Sequence, residues 1–318
     1  MKIIPARNVL ALALGVTLLL ALVVAAPAGA SGLTLPVQAA QAMNNIYDGD
    51  SDAAIAIARE LEKSQPEDPL GYLLEDEALW WKTYCAACEI KWGMLEAWKR
   101  GKRPEDESYL ALADKAIYLA RARIAKSDTA QMHLYAGIAW ALKTRLYGLR
   151  DEHRAAARAA VSARAQFLRC LQLDPQMADA TAGLGLYNYY VDTLSPVIKL
   201  LRFFMGIPGG NKEEGLRQMQ TGMEQGVLLA VDTRFYLAKN LRTYDQKYEQ
   251  ALSVAEPLVG RYPHNPVFFL LLGNLNAELG RSAKASEYFD AALNLSIPDA
   301  ACAARVRYLA NSFLASQH

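Results

Sequence analysis

Pro266–Pro298 reads PVFFLLLGNLNAELGRSAKASEYFDAALNLSIP, and its spacing decides the fold. Leu272-Gly273 is followed by Ala285, Phe289 and Ala292, with Gly280 at the turn between two segments of helical period. The spacing predicts a helix–turn–helix unit. Small residues at 273, 285 and 292 let the two helices approach, and Phe289 fills the space toward the next helix. One such hairpin cannot bury both of its faces, so neighbours must stack on it.

The same spacing recurs outward from this stretch. Units starting at Asp232, Pro266 and Ala300 are 34 residues apart. Ala251 and Pro263 occupy the matching slots of the first unit; Ala163, Phe167 and Pro175 repeat them upstream, as do Ala54 and Pro66. Asp48-Gly49-Asp50, Gln65-Pro66, Gly101–Pro104, Asp174-Pro175, Tyr262-Pro263 and Ile297-Pro298 divide Ala-rich amphipathic segments, and alternating β-branched runs are missing. The residues resemble the tetratricopeptide repeat. The resemblance implies an all-α, right-handed solenoid of helical hairpins, of a secreted bacterial type with an insertion in one repeat. The expected organisation is a leader over 1–30, a long-helix repeat region over 31–150, and repeats over 151–318 with an inserted helix near 195–211. Asp68-Pro69 reads as a helix start, and Leu70–Arg100 as one helix of about thirty residues with Gly93 its weak point.

The first thirty residues read as an address. Lys2 and Arg7 precede an apolar run from Val9 to Ala26, and Ala28-Gly29-Ala30 gives a small-x-small cleavage pattern. A cut after Ala30 implies a periplasmic or secreted protein; the competing reading is an uncleaved membrane anchor. The 318 residues hold 53% apolar and 21% charged residues at a net charge of +1, enough for a large core and too balanced for a nucleic-acid footprint.

Between the helix Thr181–Tyr190 and its partner at Gly215–Met219 the chain carries about eighteen residues more than a plain repeat. Ser195-Pro196 starts a short apolar helix containing Val197, Ile198, Leu200, Leu201, Phe203, Phe204 and Met205, with Lys199 and Arg202 placed for phosphate headgroups; a Gly-rich turn, Gly206–Lys212, follows. The helix is either a lid or peripheral membrane contact through 195–205, or an apolar cap on the solenoid groove. The turn is either an anion cradle or a bare turn. Residues 183–216 also resemble eukaryotic mitochondrial outer-membrane repeat proteins linked to lipid-inclusion clearance, which supports the fold.

In the repeat family the concave face is lined by the first helix of each hairpin. The resemblance places Tyr189 and Tyr190, then Tyr236, Asn240 and Tyr244, then Asn274 on that groove. Asn240 and Asn274 fall at the same place in successive units, and an amide there both donates to and accepts from a peptide backbone. Alternatively these residues satisfy contacts between helices. The basic residues of a carboxylate clamp are missing, since Tyr236, Leu270 and Ala304 hold those slots.

Cys85-Ala-Ala-Cys88 shares a helix face with Trp81 and Trp92. It reads as a buried apolar face, as half of a structural disulfide with Cys170 or Cys302, or as a redox pair. Glu89 stands where haem attachment needs His, and no spaced pair completes a zinc site. The four His are scattered, and Glu75–Glu77 and Glu105–Glu107 read as solvated faces near helix starts. Trp80, Trp81, Trp92 and Trp98 read as core. The expectation is a non-catalytic scaffold, without metal or cofactor, that binds a protein or peptide partner and no nucleic acid. The alternatives are a lipid or small apolar ligand module gated by 195–211, and a redox helper using Cys85 and Cys88.

Overall fold

The computed structural model describes residues 33–87, 100–194, 199, 202 and 206–315. Every regular element among them is helical. They are α1 (Val37–Asp48), α2 (Ser51–Ser64), α3 (Pro69–Ala87), α4 (Glu105–Ile124), α5 (Ala130–Leu149), α6 (His153–Leu173) and α7 (Ala178–Thr193). The chain continues with α8 (Lys212–Gln225), α9 (Ala230–Thr243), α10 (Tyr248–Arg261), α11 (Pro266–Glu278), α12 (Ser282–Leu293) and α13 (Ala300–Ala315). The expected all-α class holds, and the stretch quoted first is the hairpin α11–α12.

Helix starts are set locally. Asn265 Oδ1 accepts from the Val267 N–H at 3.0 Å with Pro266 in the first helical position, and Asp50 and Asn211 cap α2 and α8 through Ala53 and Glu214, each at 3.0 Å. Asp68 accepts from the Leu70 N–H at 2.9 Å just ahead of Pro69, as the sequence predicts. Each such cap contributes about 1 kcal/mol. α3 runs to Ala87; the rest of the expected long helix, with Cys88, Trp92, Gly93 and Trp98, lies outside the described residues. So do the leader, Ser195–Ile198 and most of the apolar stretch that follows.

Each helix packs on the next, giving the hairpins α1–α2, α3–α4, α5–α6, α7–α8, α9–α10 and α11–α12. The odd-numbered helices also touch one another: α1 with α3, α3 with α5, α5 with α7, α7 with α9 and α11 with α13. α9 meets α11 through Phe235 and Phe268, whose ring centres are 5.8 Å apart. The odd helices are thus an inner row and the even helices an outer one. Large-against-small contacts set the spacing. A Cβ on Gly273 would lie 2.7 Å from the Phe289 ring, and Phe289 itself stacks on Phe313 of α13 at 4.7 Å. Phe167 fills the equivalent slot between Gly137 and Gly183.

The row curls back on itself. α3 packs against α13 as well as α5, and its Trp81 ring lies 5.1 Å from Phe235 of α9 and 5.6 Å from Phe268 of α11. The end of α1 docks on the turn between α10 and α11: Asn265 Nδ2 donates to the Tyr47 carbonyl at 2.8 Å, and the His264 N–H to Asp48 Oδ1 at 3.0 Å. α3 therefore has neighbours from both ends of the row.

Candidate functional site

The residues expected on the groove come together, but as parts of a sealed network. Tyr189 and Tyr190 end α7; Tyr236 and Asn240 lie on α9, Tyr244 just beyond it, and Asn274 on α11. Asn240 is fully buried; its Oδ1 accepts from the Tyr190 hydroxyl at 2.9 Å, and its carbonyl from the Tyr189 hydroxyl at 3.4 Å. Asn240 Nδ2 is buried without a hydrogen-bond partner. Tyr189 touches both Tyr190 and Tyr244, with ring centres 5.7 and 6.2 Å apart. Asn274 belongs to a neighbouring set: its Oδ1 accepts from Arg242 Nε, while Arg242 Nη2 reaches Glu278 at 2.6 Å. Tyr236 is one turn before Asn240, and its hydroxyl accepts from Trp80 Nε1 at 3.1 Å. Of the six, Tyr190 and Tyr244 remain half-buried; the other four are buried.

α3 occupies the concave side of the row along this length. Its contribution is ionic as well as aromatic. Arg145 of α5 donates from Nη1 to both Glu77 oxygens, at 3.0 and 2.9 Å, and from Nη2 to Asp232 of α9 at 2.5 Å. Trp81 Nε1 completes Asp232 at 3.1 Å, and the Arg145 guanidinium lies 5.7 Å from the Trp80 ring centre and 5.2 Å from that of Tyr236. One turn farther on, Lys239 donates to the Tyr84 hydroxyl at 2.6 Å. The expectation of a solvated face at Glu75–Glu77 is overturned: all three carboxylates are buried, because α2, α4, α5 and α13 surround α3. Asp106, expected on a similar face, is likewise buried against Arg100, at 2.6 Å.

Burial sets the chemistry of these acids. It drives the Asp76 carboxyl well above its usual range, Glu77 adds to that, and neither Asp76 oxygen has a hydrogen-bond partner. Burial also raises Glu77, against the pull of Arg145. Asp179 shows another use of a buried carboxylate: it accepts from the N–H groups of Val227, Leu228 and Leu229, at 2.8–3.0 Å, and fixes the turn into α9. These groups hold helices together; no group of three His, Cys, Asp or Glu among the described residues is arranged for a metal ion.

Cys85 is bonded to Cys302, joining α3 to α13 across 217 residues of chain. The disulfide option in the sequence is thereby realised through Cys302. A redox pair with Cys88 conflicts with that bond; Cys88 itself lies outside the described residues. Cys170 is a buried free thiol that burial pushes up to about 12, far from a reactive thiolate. Trp80 and Trp81 are core, as expected.

Sequence reading missed Arg145, Asp232 and Lys239. Asp232, Tyr236 and Lys239 recur at helical spacing on one face of α9, as Glu77, Trp81 and Tyr84 do on α3. A mixed charged and aromatic stripe on otherwise apolar helices was the available signal.

No protein-family model matches the sequence, and neither does any curated protein. Among solved structures, the crystal structure of the yeast Tom70 aligns over 85% of this chain and 60% of its own length, at 11% identity and a TM-score of 0.29. This chain therefore spans less than two thirds of that structure, and a likeness of this degree assigns no role.

Proposed function

We propose that this chain is an exported, non-catalytic helical-repeat scaffold that binds a partner protein. The observation that carries the reading is the stacked array of hairpins, braced internally by the Arg145 network, with Tyr190 and Tyr244 half-buried at the C-terminal ends of α7 and α9. Rigid aromatic side chains on a braced frame supply contact area at low entropic cost. With α3 in the concave side, docking falls to this rim rather than to a groove through the middle. The leader-like residues 1–30 and the Cys85–Cys302 bond support a periplasmic or secreted setting, since disulfides persist in oxidising compartments. No described helix is long and apolar enough to cross a membrane.

An apolar-ligand module ranks below this reading. A cleft beside Trp81, Cys85 and Cys302 has a volume of about 30 Å³, and one beside Met43, Leu74 and Leu228 about 20 Å³. Each has room for about one water.

A photo-crosslinking amino acid placed at Tyr244, and separately at the exposed Tyr118 on α4, tests the reading in the native envelope. Adducts to one defined protein from position 244, and none from 118, are expected. The same adducts from both positions, or none from 244, overturn it.

A further inference from the structure

We propose that Arg164 and Arg202 form a binding site for a dianionic phosphate monoester beside Tyr187. This goes beyond the scaffold reading and uses a different face. Arg164 projects from α6, and its guanidinium lies 5.5 Å from the Tyr187 ring centre. Arg202 lies against the turn that leads to α8, beside Ile207 and Gly209. The Tyr187 hydroxyl donates to the Pro208 carbonyl at 2.9 Å, which pins that turn to α7. Next to Pro208, a Cβ on Gly209 would stand 3.1 Å from Arg202 Nη1. A Cβ on Gly210 would meet the Asn188 carbonyl oxygen at 2.3 Å. The glycines thus allow the turn to lie flat on α7 and leave room around the Arg202 head.

The two guanidiniums lack a counter-charge. Neither has an ion pair among the described residues, and the Nε of each is buried without a hydrogen-bond partner. Arg202 Nη1 makes one long contact, 3.5 Å, to the Ile207 carbonyl. Carboxylates at this end of the fold are already engaged: Asp192 with Lys199, Asp245 with Lys212, and Glu214 with Arg217. Both arginines pull the Tyr187 hydroxyl down against the effect of its burial, so both fields act on one place. Two cations converging with orphaned donors are costly unless an anion joins them. Planar guanidinium forks match tetrahedral phosphate oxygens, and two positive charges favour a dianion over a single carboxylate. The Tyr187 hydroxyl is spent on Pro208, so recognition rests on the arginines.

The chemistry fits a soluble phosphate monoester or the headgroup of an anionic lipid, and two assays separate them. In the first, the full chain is titrated calorimetrically with inorganic phosphate and methyl phosphate, with acetate at matched ionic strength as the control. In the second, it is floated with vesicles of phosphatidylcholine alone or of equimolar phosphatidylcholine and phosphatidic acid. Phosphate-selective binding is expected, weakened about tenfold by Arg164→Gln and similarly by Arg202→Gln. Arg202 lies outside α6, so Arg202→Gln reports on binding even where the α6 variant loses stability. Binding of methyl phosphate assigns a soluble ligand; capture only by phosphatidic acid vesicles, lost in both variants, assigns a headgroup. Absence of both, binding equal to that of acetate, or binding unchanged in both variants overturns the site.

Discussion

α3 and α11 have the same place in the architecture and opposite chemistry. Both are first helices of hairpins, and both are surrounded. α11 meets that with Phe268, Leu271, Leu272 and Leu275 inside and Asn265 as its cap. α3 carries Glu75, Asp76 and Glu77 into the same kind of environment. α11 is held mainly by its own hairpin partner and immediate neighbours, through contacts such as Phe289 against Gly273. α3 is held from across the fold, by Arg145, Asp232, Lys239 and Cys302. An apolar helix is buried by whatever comes next in the chain. A charged helix is buried only where distant residues neutralise it, so it specifies one closed arrangement.

The contrast is broken most severely at the disulfide. Cys302→Ser removes a cross-link spanning 217 residues, and chain entropy puts the cost at about 5 kcal/mol. Urea unfolding should show that loss, and hydrogen exchange should show α3 and α13 opening before α5–α8. Uniform loosening of every helix would contradict an end-to-end staple. Next in size is Arg145→Met, which leaves Glu77 and Asp232 buried and uncompensated and should cost about 4 kcal/mol. Phe289→Ala in the α11 hairpin should cost about 3 kcal/mol through the cavity it leaves. If the Arg145 variant proves the milder of the two in denaturant titrations, the ionic network is not what holds α3.

The smallest effect sharpens the comparison through pH. Burial makes Asp76 keep its proton to higher pH in the fold than in the unfolded chain, where it ionises near its ordinary value of 3.8. Between those values the folded state binds the extra proton, so stability falls as pH rises, by about 1.4 kcal/mol per pH unit for one proton. Asp76→Asn should fold, flatten that slope above pH ~4 and gain on the parent as pH rises. Parallel stability curves for the two chains, measured by chemical denaturation across pH, would mean Asp76 is ionised inside.

Legibility followed sequence distance. The Gly273, Ala285 and Phe289 spacing is a contact between helices adjacent in the chain, and it was readable with its turn and period. The spacing Ala163–Phe167 worked for the same reason, with Gly137 and Gly183 as its partners. Glu75–Glu77 looked solvated because the cations that reach them sit on other helices, Arg59 of α2 for Glu75 and Arg145 of α5 for Glu77. Asn240 and Asn274 were readable as equivalent positions. Their engagement by Tyr190 and Arg242 follows from how the inner row curls.

Helix boundaries, hairpin units and the small-against-large packing rule were determined by the sequence alone, because each rests on interactions within a few turns of chain. The tertiary structure decided what lies in the concave side, which cysteine Cys85 joins, which buried acids are paired and which arginines stand without a counter-ion. Those outcomes depend on how small rotations between hairpins accumulate until α3 meets α9, α11 and α13, and no local spacing encodes that sum.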